Sequence, residues 1–273
     1  MSDPMKAERY MWMIGYFRLS AYMYPLLMVP KSRKQFKVGA SFKQVMMLYR
    51  FDKKLRLLMF NEIEKIEVAV RSAIVNTVCE LTGDRFWLTN PVHFSDPGKF
   101  ATTMRLIDKE LRGSHEEFIS DFKHTYSDQY PPCWILAEIL PFGYMTNIFC
   151  NLKDKKLKKR VSQQFGLQVP PFESWMTKLY VMRNACAHHS RVWNKKNAMR
   201  VTIPNRFVRP WITLVTDPFR VYFDLCIIKY LLDVVSPGND MLAKLRWLMV
   251  DFPEIDLRAM GFPEGWELEP LWR

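Results

Sequence analysis

The chain has 273 residues and carries 40 Lys and Arg against 28 Asp and Glu, a formal net charge of +12. Hydrophobic residues make up 49% and charged ones 25%, so the chain is neither disordered nor of low complexity, and it is long enough to bury a sizeable core. Only 10 glycines are present, too few for the turns of many short strands, which excludes all-β sandwiches and propellers. A basic surplus of this size points to a polyanionic partner, nucleic acid first and an anionic membrane surface less so.

The elements are taken in chain order. The start, Met1-Ser2-Asp3-Pro4, lacks a basic segment followed by an apolar one, so no signal peptide is expected. Ser41 is placed to cap a helix carrying Val45, Leu48 and Tyr49. Asp52 is placed to cap a second, long helix whose Leu55, Leu58, Ile63, Ile66, Val70 and Ile74 recur at spacings of three and four, ending at Gly83. Asp96-Pro97 opens another helix. Residues 133–151 read as helical with a break at Pro141-Phe142-Gly143. After Pro170-Pro171 a helix sets Trp175, Leu179, Met182 and Cys186 on one face. Asp217-Pro218 starts a further helix that ends near Pro237-Gly238, and Asn239 caps the last one, through Val250. Residues 199–211 read as a loop or short hairpin. Period-two alternation is nowhere sustained, so the expectation is one all-α domain over residues 1–273 with no internal repeat.

The longest apolar stretch, Val221 to Val235, is interrupted by Asp224, Lys229 and Asp233 and cannot span a bilayer. Cys79, Cys133, Cys150, Cys186 and Cys226 are scattered without CxxC spacing, against a disulfide framework or a zinc site. A cytoplasmic location is expected, with no metal, no cofactor and no membrane partner.

The densest group of reactive side chains is the segment 183–194, with Arg183, Asn184, His188, His189, Arg191 and Asn194. Histidine exchanges a proton near neutral pH, and arginine offers a permanent planar fork suited to phosphate. Together they are enough to cleave RNA without a metal, with the ribose 2′-OH as nucleophile. The alternative is structural: histidines bonding last-turn carbonyls, and Arg183 and Arg191 paired with Glu64, Glu67 or Glu138. Glu67 and Arg71, four apart, either pair with each other or face the Arg183 helix. Arg183 and His188 lie about 140° apart on an ideal helix, so either the helix unwinds before His188 or two copies build the site, and small Ala185-Cys186-Ala187 would let a second helix approach in a homodimer. Two basic runs flank the segment. Lys153, Lys155, Lys156, Lys158, Lys159 and Arg160 precede it, and Lys195 and Lys196 come after, with Arg200, Arg206 and Arg209 beyond.

Arg183-Asn184, three residues, then His188 resembles the Arg–His motif of HEPN-domain ribonucleases. More of the chain is similar to the Abi-like abortive-infection proteins of the AbiD/AbiF type. The matching segments are Tyr16 to Pro25, Leu48 to Asp52 with Leu55-Arg56, Ile63 to Arg71, Glu138 to Gly143, Asn151 to Lys153, 183–194, and Gly261-Phe262-Pro263 with Trp266 and Trp272. Ala21 and Leu140-Pro141 depart from the pattern without touching the Arg–His pair. The resemblance implies a HEPN-like helical bundle with added N- and C-terminal helices, the latter over about 212–273. It also implies phage defence and RNA as substrate or partner, whether cellular, viral or a small structured RNA encoded nearby. Carried over by position, Arg183, Asn184 and His188, with His189 as the alternative to His188, would carry catalysis yielding a 2′,3′-cyclic phosphate. Arg191 and Asn194 would touch phosphate or support the site. Glu64, Glu67 and Glu138 would orient it.

Overall fold

Eleven α-helices and no strands make up the described residues, 4–273, of a computed structural model. They are α1 (Pro4–Ile14), α2 (Tyr16–Met23), α3 (Phe42–Thr82), α4 (Pro97–Gly113), α5 (Glu117–Thr125), α6 (Cys133–Leu136), α7 (Phe142–Asn151), α8 (Lys155–Gln164), α9 (Val169–Ala187), α10 (Val221–Val235) and α11 (Met241–Asp251). The organiser is α3, 41 residues and about 60 Å long. Its N-terminus is a capping box: the Ser41 hydroxyl accepts from the Gln44 N–H and the Gln44 side chain accepts from the Ser41 N–H. Its C-terminus turns on Gly83 at φ 68°, a left-handed position that glycine takes without strain. Helices α2 and α6 to α11 all pack against it.

The expected boundary at Asp52 is absent. One helix runs through it, and Asp52 lies fully buried in the helix interior. Its neighbours' N–H groups are already bonded within the helix, so its carboxylate serves groups from elsewhere in the chain. Helix α9 starts at Val169, before the two prolines rather than after them, and holds Pro170 and Pro171 in its first turn, where their missing N–H costs nothing. Helix α10 begins at Val221, not at Asp217. There the Asp217 side chain accepts from the Phe219 N–H and forms a turn instead. Asn239 stands one residue before the α11 N-cap Asp240, and its side chain still reaches the Met241 N–H.

Between α9 and α10 residues 188–220 form no regular element, and the hairpin alternative for 199–211 is not realised. This segment is pinned by aromatic packing. Phe207 stacks on Trp211 at 4.6 Å, both against Trp175 and Tyr230, and the Trp175 Nε1–H donates to the Thr202 carbonyl. Helices α7 and α9 approach so closely that a Cβ on Gly143 would meet the Tyr180 ring at 2.5 Å. One buried core joins Leu19 of α2 to Trp272 near the C-terminus. All five cysteines are free, and no helix among the described residues is long and apolar enough to cross a membrane.

Candidate functional site

The C-terminal end of α9 closes in a Schellman motif: the Ser190 N–H reaches the Ala185 carbonyl at 2.8 Å and the His189 N–H the Cys186 carbonyl at 3.1 Å. His189 takes the left-handed position at φ 56°, where glycine is usual. The helix therefore runs through Arg183 and stops at its cap His188, and both histidine side chains are exposed, with no hydrogen bond to the protein among the described residues.

The segment beyond this turn is fastened from three sides. The N–H groups of Val192 and Trp193 donate to Asp52 Oδ1 at 3.0 and 2.6 Å. The other oxygen of Asp52 accepts from the Tyr22 hydroxyl and from Arg56. Burial, then the Asp52 charge, push the Tyr22 hydroxyl well above the usual tyrosine range, so it stays a donor. Arg191 donates to the Ala21 carbonyl at 2.6 Å, and Arg18 to the His189 carbonyl at 3.2 Å. Asn194, at φ 48°, accepts from Arg220 at 2.9 Å.

On the α3 side the Arg183 Nε lies 3.6 Å from Glu67 Oε2, its guanidinium 5.6 Å from the centre of the Phe60 ring. Glu67 Oε1 accepts from Arg71 at 3.3 Å, and Arg71 also reaches Glu138 at 3.5 Å and the Leu140 carbonyl at 3.1 Å. Both expected readings of Glu67 hold at once, since it pairs with Arg71 and faces Arg183. The chain of charges runs Arg183, Glu67, Arg71, Glu138. The Nε atoms of Arg183 and Arg71 are buried without a hydrogen bond, the Arg183 Nε facing Glu67 as an ion pair only. Glu64 is exposed on α3 and does not join this chain. Asn184 touches Arg183 Nη1 at 3.5 Å.

Behind α9 lies a cavity of about 270 Å³, lined among others by Met182, Ala185, Arg191 and Asp224. Asp224 pairs with the fully buried Lys178 at 3.0 Å. Burial pushes its carboxyl up to about 6, against the pull of the Lys178 ammonium. Of the small residues expected to meet a second copy, Cys186 is buried within the chain's own core and Ala185 and Ala187 are half-buried.

Among the expected phosphate contacts, Lys153, Lys155, Lys156, Lys159, Arg160, Lys195 and Lys196 are exposed. Lys158 is not free: it pairs with Glu173 at 2.9 Å, donates to the Cys150 carbonyl and lies over the Phe149 ring. Arg191 and Asn194 likewise spend their polar groups inside the chain, as support for the loop. Sequence reasoning missed Tyr22, Asp52 and Arg56. The one available signal was an aspartate and an arginine four apart inside an apolar helical stripe. Among the described residues no group of three His, Cys, Asp or Glu side chains is arranged to hold a metal ion.

These features define an all-α protein whose longest helix carries both a buried carboxylate that anchors a loop and an arginine–carboxylate chain that steadies Arg183. A family model described as Abi-like protein matches residues 9–194, two thirds of the chain and the whole of this constellation. The chain belongs to the Abi-like family, and so to the proteins of abortive infection, a form of phage defence. No curated protein and no solved structure matches it.

Proposed function

We propose that this Abi-like protein is a metal-independent endoribonuclease of the HEPN type that acts in the cytoplasm during abortive infection. The observation that carries the reading is the placement of Arg183, held against Glu67 and partly exposed, shortly before two exposed and unengaged histidines. In the reaction one histidine takes the proton of a ribose 2′-OH. The 2′ oxygen attacks the adjacent phosphorus, and the bond to the 5′ oxygen breaks as a second acid returns a proton to it. Arg183 offsets the charge gathering on the equatorial oxygens. The products are a 2′,3′-cyclic phosphate and a 5′ hydroxyl. Arg183 and His188 face different ways on one helix, so two copies of the chain would complete one site, meeting at the exposed end of α9 around Tyr180, Val181 and His188. The exposed cations of α8 and of Lys195 and Lys196 would hold the RNA backbone.

The test is incubation of the purified chain with cellular RNA in a chelator, followed by end analysis. Cyclic phosphate ends that accumulate beyond one equivalent, absent with 2′-deoxy substrate and absent in Arg183→Ala, support the reading. A second reading is favoured by one observation, that neither histidine is oriented by any partner side chain. The protein would then bind a small structured RNA without cutting it. RNA bound in stoichiometric amount and recovered intact selects that alternative.

A further inference from the structure

From Arg9 to Phe51 the chain holds eight arginines and lysines and no aspartate or glutamate. The same stretch exposes an unusual number of large apolar side chains. In α1 no residue is buried, and Trp12 is 86% exposed; on α2, Phe17 is 90% exposed. After α2 the chain folds back on itself. The Met28 N–H donates to the Gln35 carbonyl and the Lys37 N–H to the Leu26 carbonyl, both at 2.8 Å, with Leu27 bridged to Phe36. This small closed loop sets Val29, Phe36 and Val38 outward, Val38 wholly exposed, among Arg33, Lys34 and Lys37. None of these three cations has a carboxylate partner among the described residues. Glu254 and Asp256 line a cleft with Lys37 but make no ion pair with it.

Three occupants suit an exposed apolar and basic surface. A second copy would bring a strongly basic face, with Glu8 the one acid of α1, α2 and the loop, against its like in a chain charged +12, where repulsion opposes contact. RNA would use the cations and could stack bases on Trp12, Phe17 or Phe36, but it gives the exposed aliphatic Val29 and Val38 nothing to enter. An anionic lipid surface uses both halves: aliphatic and aromatic side chains enter the boundary of the acyl region while cations lie on phosphate headgroups. We propose that the loop 27–38, with the flanking α1 and α2, is a docking surface for an anionic lipid bilayer. This is peripheral binding and needs no spanning helix; it departs from the expectation of no membrane partner that the sequence alone supported. Arg18 of α2 donates to the His189 carbonyl, so the docked face adjoins the loop that ends α9.

The experiment is cosedimentation of the full chain with vesicles of phosphatidylcholine alone, or of phosphatidylcholine with phosphatidylglycerol, over a range of salt. Binding is expected only to the anionic vesicles, weakening as salt rises. The double variant Arg33→Ala with Lys34→Ala should lower partitioning about fivefold for each cation removed. Val29→Ser with Val38→Ser should lower it as well. All four side chains are on the surface, so circular dichroism and melting should be unchanged. A chain that stays in the supernatant with anionic vesicles at low salt overturns the proposal, as does binding that neither double variant alters. Variants that keep vesicle binding but lose RNA affinity would assign the face to RNA and overturn it too.

Discussion

The Asp52 carboxylate, in the N-terminal third of α3, accepts a 2.6 Å hydrogen bond from the Trp193 backbone N–H, 141 residues further along the chain. With the Val192 N–H, the Tyr22 hydroxyl and Arg56 on the same carboxylate, one buried acid fixes where the loop after His189 lies relative to α2 and α3. Removing it strands a buried cation and two buried amides. Asp52→Ala should therefore cost about 3–5 kcal/mol in urea unfolding. Asp52→Asn, which keeps an acceptor, should cost less.

Arg183→Ala and His188→Ala are expected to abolish phage protection in cells while leaving the melting temperature near that of the parent. Both side chains are at least partly exposed, and neither fills the core. Unaltered protection in both variants would move the chemistry elsewhere on the molecule.

On the proposed reading Glu67 acts through Arg183, which it faces at 3.6 Å, so its effect should divide differently. Glu67→Gln keeps the shape but weakens the hold on both arginines. It should lower the rate of cleavage at saturating RNA more than it lowers RNA affinity. Equal loss in the two would make Glu67 a binding group.

For α8 the prediction excludes Lys158. Replacing Lys155, Lys156 and Lys159 by Ala should weaken RNA binding for all sequences alike. It should flatten the slope of log affinity against log salt by about 0.7–0.9 for each phosphate that is no longer neutralised. Lys158→Ala should instead lower thermal stability, because its ammonium is committed to Glu173 and the Cys150 carbonyl.

The buried Glu62 ties α3 to α11 through Lys244 at 3.1 Å and is pH-sensitive in a definite direction. Burial pushes its carboxyl up, but hydrogen bonds from Lys65, Lys244 and Asn61 outweigh this and hold it below the usual carboxylate range. A carboxyl depressed in the folded state stabilises the fold above its unfolded value of 4.5, and that stability is lost as pH falls through the lower folded value. Urea midpoints of the parent and of Glu62→Gln, compared between neutral and acid pH, should converge toward the acid end.

The helices were legible wherever an apolar stripe stood between a capping residue and a breaker, as from Ser41 to Gly83. Asp52 and Asp217 both have the chemistry of helix caps, but Asp217 caps a local turn at Phe219 while Asp52 is used from far along the chain. The bonds to Asp52 come from Val192 and Trp193, which no local pattern reveals. The segment 183–194 stood out by its composition, whereas the partner of Arg183 did not, because Glu67 and Glu64 look alike in sequence and differ only in which side of α3 they occupy. Lys158 sits in a run of cations like its neighbours, and only folding turns it toward Glu173.

The packing of α10 on α3 bears on how this protein is made. Between Thr82 and Val221 the ribosome must add about half of the chain. Throughout that interval the side of α3 destined for α10 has no cover. The family match ends at Asn194, yet a polypeptide released there would leave that side permanently open, so the last third of the chain works as the lid of its own core. A nascent chain built this way stays unfinished until α10 has been made.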